Sequence, residues 1–396
     1  MEKDIDNMDI ITAILILLGS SIIAGTIFEK FGLPDVAGQI LSGVILGPAV
    51  IGLIQPSSSL FSISDIALFF LVLLLGLEVT SKALTTNPMK NIALSLSSFV
   101  FPVTIMFVIS YLLLGFEMVP AVILSVGIGV PSISIVSVLL RHYSLVGTED
   151  GNKIMTSVVI SDLLAFIALA AVYNAHDIYH LLLLIITIII FISLLLMAAR
   201  LLRNYHRHVI DFFSSLASGK YGETSVFAIV ILLGLVIASF LQFIGISFVL
   251  GAFFAGMLLE EFVMGKGVFR TLVRTFRRIN GSFFIPLFFS IAGATTMVPN
   301  LSYIAILIIL IVVSAASSAG FTSYIGKKAF KKLQPLSAMS ILGGRGAIGI
   351  IIGNIAFLAG LINIQLYSVI VLGTVVMAVF FSAFIRPKFK HSKRRR

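Results

Sequence analysis

Apolar runs long enough to cross a membrane follow one another along nearly the whole chain, and they decide its fold class. A span needs about 20 predominantly apolar residues, and hydrophobic residues make up 59% of this sequence while charged residues make up 11%. Backbone polar groups inside a bilayer must be paired within the protein, so such runs fold as helices. The sequence therefore predicts an all-α polytopic membrane protein.

Thirteen spans are predicted from these runs. The acidic start, Met1 to Asp9, lacks the basic region of a cleaved signal, so the first run is expected to remain as a span. The thirteen lie near residues 8–28, 34–54, 63–80, 90–114, 118–141, 151–174, 177–202, 224–244, 246–264, 279–297, 300–325, 335–360 and 364–386.

Lysine and arginine mark one side of the predicted membrane. The loops and span ends after odd-numbered spans carry nearly all of them, and the loops after even-numbered spans carry none. Because basic loops stay in the cytoplasm, we predict a plasma-membrane protein with its N-terminus outside and its C-terminus inside. Orientation and attraction of the tail to anionic lipids explain the net charge of +10. Nucleic acid is not an expected partner.

Two spans contain residues that interrupt a helix. The fifth carries Gly127-Ile-Gly-Val-Pro-Ser-Ile-Ser134, in which Pro131 lacks a backbone donor and glycines such as Gly129 weaken the helix. The twelfth carries a run of glycines between Gly343 and Gly353. Since each run also includes polar groups, we predict that both helices are broken near mid-membrane.

The two interrupted spans occupy the fifth place of two six-span halves. One extra span separates the halves, so they must have opposite orientations in the membrane. This predicts two inverted repeats whose interrupted helices cross at the midplane, where transporters of this design bind their substrate. Within a transmembrane domain of residues 1–386, the repeats cover about 8–174 and 224–386, with a linking helix at 177–202 and a basic tail at 387–396.

Asp162 lies near the middle of the sixth apolar run with no local cation. A carboxylate at that depth costs about 2.5–3.5 kcal/mol, so it indicates an ion path. The alternative is a protonated acid hydrogen-bonded within a helix interface. If Asp162 faces the broken fifth span, its carboxylate, the hydroxyls of Ser132 and Ser134 and free carbonyls form an all-oxygen site. A monovalent cation and a proton would compete for it, as an exchanger requires.

Other charges receive simpler interpretations. Arg345, inside the twelfth span, is expected to compensate the ends of the broken helices or to pair with a neighbouring acid. Glu78 lies near a cytoplasmic span end, where solvated charge is the usual explanation. The segment from Lys266 to Arg278 alternates apolar and arginine faces, which predicts an amphipathic helix on the cytoplasmic surface, either a mobile linker or a passive connector.

Several segments resemble a known family. Together with the span count, they resemble the sodium/proton exchangers of the cation:proton antiporter-2 family, and in particular its Nap-type members without a C-terminal nucleotide-binding domain. The resemblance implies a homodimer that exchanges Na⁺, or Li⁺ or K⁺, for protons and needs no cofactor. The segments are residues 131–162, with Leu139 to Gly151 and Val158 to Asp162 within them, Leu33 to Pro48, Gly76 to Glu78, Ile285 to Phe289 and Gly344 to Ala347.

The sequence departs from that family at two positions. Electrogenic members carry two adjacent aspartates in the sixth span, the first paired with a lysine in the eleventh. Here Ser161 holds the first position and Asp162, the carrier, the second, while register with Gly320 puts Ser317 at the lysine position. Ser161 is counted among the ion-binding residues. Acid and base are absent together, which predicts exchange of one proton per cation without net charge movement.

Other function classes fit less well. A sodium-coupled organic-solute symporter of similar fold is the alternative, but the sequence lacks further mid-membrane polar clusters. An intramembrane aspartyl protease needs two carboxylates on neighbouring spans, and no enzyme motif is present. A channel needs no proton-coupled acid and would turn over far faster than an antiporter.

Overall fold

Helices account for nearly all of the regular structure. A computed structural model describes residues 9–78, 99–131, 136, 140, 148–173, 206–219, 221–243, 248–259, 261–329 and 346–383. Its helices are α1 (Ile10–Lys30), α2 (Asp35–Leu46), α3 (Ser58–Glu78), α4 (Phe99–Leu113), α5 (Met118–Gly129), α6 (Glu149–Tyr173), α7 (His206–Ser218), α8 (Gly222–Phe243), α9 (Phe248–Leu258), α10 (Lys266–Ile279), α11 (Ile285–Ala294), α12 (Leu301–Ala329), α13 (Ala347–Leu358) and α14 (Ile364–Ala383).

The described helices agree with the predicted spans in place. Each predicted span contains at least part of one of them, except the seventh, which lies outside the described residues. Within the described part of the chain, four helices, α1, α3, α8 and α14, are long and apolar enough to cross a membrane. The chain is thus an all-helical, multi-pass membrane protein, while the total of thirteen spans stays a prediction.

The helices pack in two groups. In the first, α3 packs against α9, α2 against α11, α1 against α2 and α11, and α8 against α9. In the second, α13 packs against α5 and α14, α6 against α5 and α13, and α12 against α14 and α5. The groups meet where the Tyr367 hydroxyl of α14 donates to the Ala292 carbonyl of α11 at 2.9 Å. They meet again where Phe166 of α6 faces Phe253 of α9, with ring centroids 5.7 Å apart.

Glycines allow the closest contacts within the first group. A Cβ at Gly43 of α2 would overlap the Ser290 carbonyl of α11, and one at Gly293 would overlap the Ile40 carbonyl of α2. The α3–α9 pair repeats the arrangement, with Gly76 and Gly256 against each other's helix backbones. Small residues let helix backbones approach closely where hydrophobic driving force is weak. Both contacts therefore depend on the absence of a side chain.

The amphipathic segment forms α10, and the protein covers its apolar face. Leu272, Val273 and Phe276 are buried. The Phe276 ring lies 4.6 Å from that of Phe227 in α8 and 6.3 Å from that of Phe70 in α3, measured between centroids. Its arginines, at positions 270, 274, 277 and 278, point outward. The helix is thus docked on the bundle by its apolar residues.

A π-helical turn, Asn280–Phe284, joins α10 to α11. Pro286 follows it in the first turn of α11, where a missing N–H costs little. The Phe284 ring stacks on Phe70 of α3, with centroids 4.2 Å apart and planes 7° from parallel. This stacking joins the π-helical turn to α3 of the first group.

Two features near this end of the bundle differ from the sequence interpretation. Glu78 is not merely solvated, because Arg277 of α10 donates from Nε to its Oε1 at 2.7 Å. Helix α7 was not predicted at all, since it is too short and too polar for a span search. It packs on α8 and α10.

Gly43→Ala is expected to destabilise the protein, because the added methyl would displace backbone of α11 rather than a flexible side chain. Overpacking of this kind costs about 1–3 kcal/mol, which thermal unfolding in detergent would register as a lower midpoint. Gly19→Ala is the matched control, since a Cβ at Gly19 of α1 meets nothing within 4 Å. A Gly43→Ala protein that melts with or above the control would contradict the close α2–α11 contact.

Candidate ion-binding site

Asp162 is a buried acid without a hydrogen-bond partner in the described part of the chain. It lies in the middle of α6 and is 1% exposed. Neither carboxylate oxygen receives a hydrogen bond from a described residue. Asp150, the other buried acid described, lies near the start of α6 with the Lys153 ammonium 3.9 Å from its Oδ1. Burying an unpaired carboxylate is costly unless a proton or a cation neutralises it.

The helix that carries Asp162 packs against the described helices of both spans that were predicted to be interrupted. α6 contacts α5 and α13, and these two helices also contact each other. Phe166, one turn after Asp162 and on the same face of α6, reaches Phe253 in α9. Asp162 therefore lies on a helix that contacts α5, α13 and the first helix group.

Helix α5 ends within its predicted span, as its glycines and proline indicate. Its last residue is Gly129, and Val130 is extended, with φ −81° and ψ 127°. The Val130 N–H still bonds to the Val126 carbonyl at 3.1 Å. Residue 131 is a proline, so the Gly127 carbonyl cannot receive the next helical hydrogen bond. The carbonyl end of α5 carries partial negative charge in the protein interior.

Helix α13 begins inside the twelfth predicted span. Its first residue is Ala347, after Gly346 in an extended conformation with φ −175° and ψ −133°. The amino end of a helix carries partial positive charge. A Cβ at Gly349, in the first turn of α13, would overlap the Gly127 carbonyl oxygen of α5. The carbonyl end of one helix and the amino end of the other are thus in direct contact.

The remaining predicted site residues fall into two sets. Ser161 is fully buried beside Asp162, and its hydroxyl donates to the Ser157 carbonyl at 2.9 Å. Ser317 of α12 is 6% exposed, and its hydroxyl donates to the Ser314 carbonyl at 3.0 Å. Gly129 and Pro131 are buried at the end of α5. Ser132, Ser134 and Arg345 lie outside the described residues.

Sequence reasoning missed one polar residue beside this crossing. Thr374 of α14 is 1% exposed, and a Cβ at Gly349 would lie 3.4 Å from its Oγ1. The only sequence signal was a hydroxyl within a strongly apolar run, which is common in membrane helices.

The described residues contain no group of three His, Cys, Asp or Glu side chains that could hold a metal ion. A resident multivalent metal therefore has no carboxylate or imidazole cage in that part of the chain.

The family model for the sodium/hydrogen exchangers, transmembrane, matches residues 16–390. The chain belongs to the sodium/hydrogen exchanger family. The resemblance drawn from the sequence is thereby confirmed, and the chain is a transporter of this family rather than an enzyme.

One curated relative matches nearly the whole chain, and another matches part of it. A Na(+)/H(+) antiporter of Enterococcus hirae is 25% identical over 390 residues, which cover 96% of this chain and 97% of the relative. The Na(+)/H(+)-K(+) antiporter GerN of Bacillus cereus is 31% identical over 157 residues, which cover 40% of each chain.

The fold also has solved counterparts. The sodium proton antiporter MjNhaP1 from Methanocaldococcus jannaschii superposes with a TM-score of 0.63, covering 95% of both chains at 15% sequence identity. At that identity the likeness concerns the fold, and it agrees with an all-helical exchanger architecture.

Proposed function

We propose that the protein is a secondary antiporter that exchanges a monovalent cation, Na⁺ in the first instance, for protons at Asp162. The observation that carries the proposal is the burial of this carboxyl without a hydrogen-bond partner among the described residues, on the helix that packs against α5 and α13. A proton or a cation can satisfy the carboxyl, but not both together. Alternating access then converts this competition into exchange.

The all-oxygen site proposed around Asp162 draws on the end of α5 and on Ser161. The serine hydroxyl, although it donates to Ser157, keeps lone pairs that can face a cation. Ser132 and Ser134 complete the proposed site, and Arg345 and the amino end of α13 balance its charge. We do not propose the sodium-coupled symporter, because relatives that match over nearly the full chain are named antiporters.

We also infer the two inverted repeats. Helices α1 to α6 would form one, and α8, α9 and α11 to α14 the other. The contacts support this, because exchanging the halves turns the pair α2–α11 into α9–α3, the pair α1–α2 into α8–α9, and the pair α5–α6 into α13–α14, each of which is a packed pair. The repeat boundaries, the outside N-terminus, the cytoplasmic C-terminus and the homodimer belong to the same proposal.

Asp162→Asn tests the central step. The amide keeps the shape of the carboxyl but cannot exchange a proton for a cation, so cation-dependent proton flux in vesicles should fall to the background of empty vesicles. The wild-type protein should respond to Na⁺, and Li⁺ and K⁺ assayed in turn would define selectivity. Elution of the variant as a monodisperse peak controls for folding. Retained exchange in a folded variant would overturn the assignment.

The membrane potential tests electroneutrality. An exchanger that moves one net charge per cycle gains or loses about 2.3 kcal/mol per 100 mV, whereas one-for-one exchange gains nothing. We therefore expect the same flux at clamped potentials of either sign, measured with a potassium gradient and valinomycin after K⁺ has been shown not to be transported. A rate or end point that follows the potential would contradict this stoichiometry.

Ser161→Asp and Ser317→Lys test whether these two positions correspond to the acid and the base that pair in electrogenic members. Both serines are buried, so a single introduced charge should reduce yield and thermal stability, because breaking or omitting one partner of a buried ion pair costs about 3–5 kcal/mol. The double variant should recover part of that loss and make transport respond to the potential. Equal losses in the Ser161→Asp and double variants would argue against a pairing between these positions.

A further inference from the structure

Thr374 has a hydroxyl that nothing in the described part of the chain satisfies. It is 1% exposed in α14, and its Oγ1 has no hydrogen-bond partner there. Hydroxyls inside helices usually donate to a carbonyl of the preceding turn. Ser368 does so in the same helix, donating to the Ile364 carbonyl at 2.8 Å, and Ser125 does so in α5. Thr374 is an exception to this pattern.

The surroundings of Thr374 along its own helix are apolar. Ile370, one turn earlier, is fully buried and lies against the α-carbons of Gly127 and Gly353. Ala378, one turn later, is 3% exposed. A hydroxyl on this face therefore costs free energy without a partner, since an unsatisfied buried polar group loses its hydration.

A second oxygen, the Gly127 carbonyl of α5, lies near Thr374 and also lacks its usual hydrogen-bond donor. The Gly127 carbonyl cannot receive a helical hydrogen bond from Pro131, and it lies against Gly349 of α13. The Thr374 Oγ1 lies next to the same Gly349, 3.4 Å from where its Cβ would be. The missing side chain of Gly349 therefore brings a carbonyl oxygen of α5 and a hydroxyl of α14 to one place.

We propose that Thr374 is a cation-binding residue of the exchange pathway, acting with the Gly127 carbonyl. This inference rests on the proposed antiport at Asp162, whose helix packs against the same two helices, α5 and α13. Carbonyl and hydroxyl oxygens replace the hydration shell of a monovalent cation without binding a proton at neutral pH. The pair thus adds affinity for the cation but not for its competitor, which a lone carboxyl cannot do.

Thr374→Val and Thr374→Ser separate the hydroxyl from the shape of the side chain. Valine keeps the volume and removes the oxygen, whereas serine keeps the oxygen. Ser125→Ala is the matched control, since that buried hydroxyl donates within its own helix at 2.6 Å. The full-length protein is assayed in vesicles for the Na⁺ dependence of proton flux, and in detergent for the rise of its melting midpoint on titration with NaCl against choline chloride.

Thr374→Val should raise the apparent KM for Na⁺ about tenfold, leave the maximal rate within about twofold, and move the Na⁺-induced rise of the melting midpoint to about tenfold higher concentration. Thr374→Ser and Ser125→Ala should stay within about twofold of the wild type in both measurements. The melting assay reports binding without turnover.

Three results would overturn the inference. The first is an unchanged Na⁺ dependence of proton flux in Thr374→Val. The second is an equal rise of the apparent KM in the valine and serine variants, which indicates an effect of packing alone. The third is a lower maximal rate with an unchanged KM, which indicates that Thr374 only positions the Gly127 carbonyl. The proposed antiport fails separately, if the wild type shows no cation-coupled flux or if Asp162→Asn retains it.

Discussion

The architecture depends on a carboxyl that the described residues leave unsatisfied. Asp162 is buried in α6, and both of its carboxyl oxygens lack a partner among the described residues; a buried carboxyl is costly unless it is neutralised or hydrogen-bonded. Such a group would be selected against in a static bundle, because an apolar side chain of similar volume would pack at no electrostatic cost. The helix that carries it packs against α5 and α13, whose facing ends carry backbone dipoles of opposite sign.

The contact between the end of α5 and the start of α13 depends on a glycine and a proline. Gly349 admits the Gly127 carbonyl, and Pro131 withholds the donor that would have bonded it. In the first helix group the glycines do something different: Gly43 with Gly293, and Gly76 with Gly256, press continuous helices together backbone to backbone. The same residue type thus brings continuous helices together in one group and the end of one helix against the start of another in the second. What differs is whether a proline interrupts the helix next to it.

Local features of the sequence predicted much of this. Apolar runs placed the helices, the Gly127–Pro131 segment predicted the end of α5, and the apolar run around Asp162 predicted that this acid is buried in a helix. What could not be predicted depends on contacts between distant residues. Nothing near Gly43 in the sequence indicates Ser290, and nothing near Glu78 indicates Arg277. Helix α7 was not predicted because its polar face leaves no continuous apolar run. Thr374 was not singled out because a single hydroxyl in an apolar helix usually bonds to its own backbone.

The docking of α10 has a mechanical consequence. An amphipathic helix with a free apolar face floats in the headgroup layer, but here Phe276 lies between Phe70 and Phe227, and the Arg277–Glu78 pair adds a second attachment to α3. The arginine face is all that remains for the aqueous side. If one helix group rocks against the other during transport, α10 must travel as part of the first group. It then acts as a rigid connection between α3 and α8, rather than as a flexible linker between the two halves.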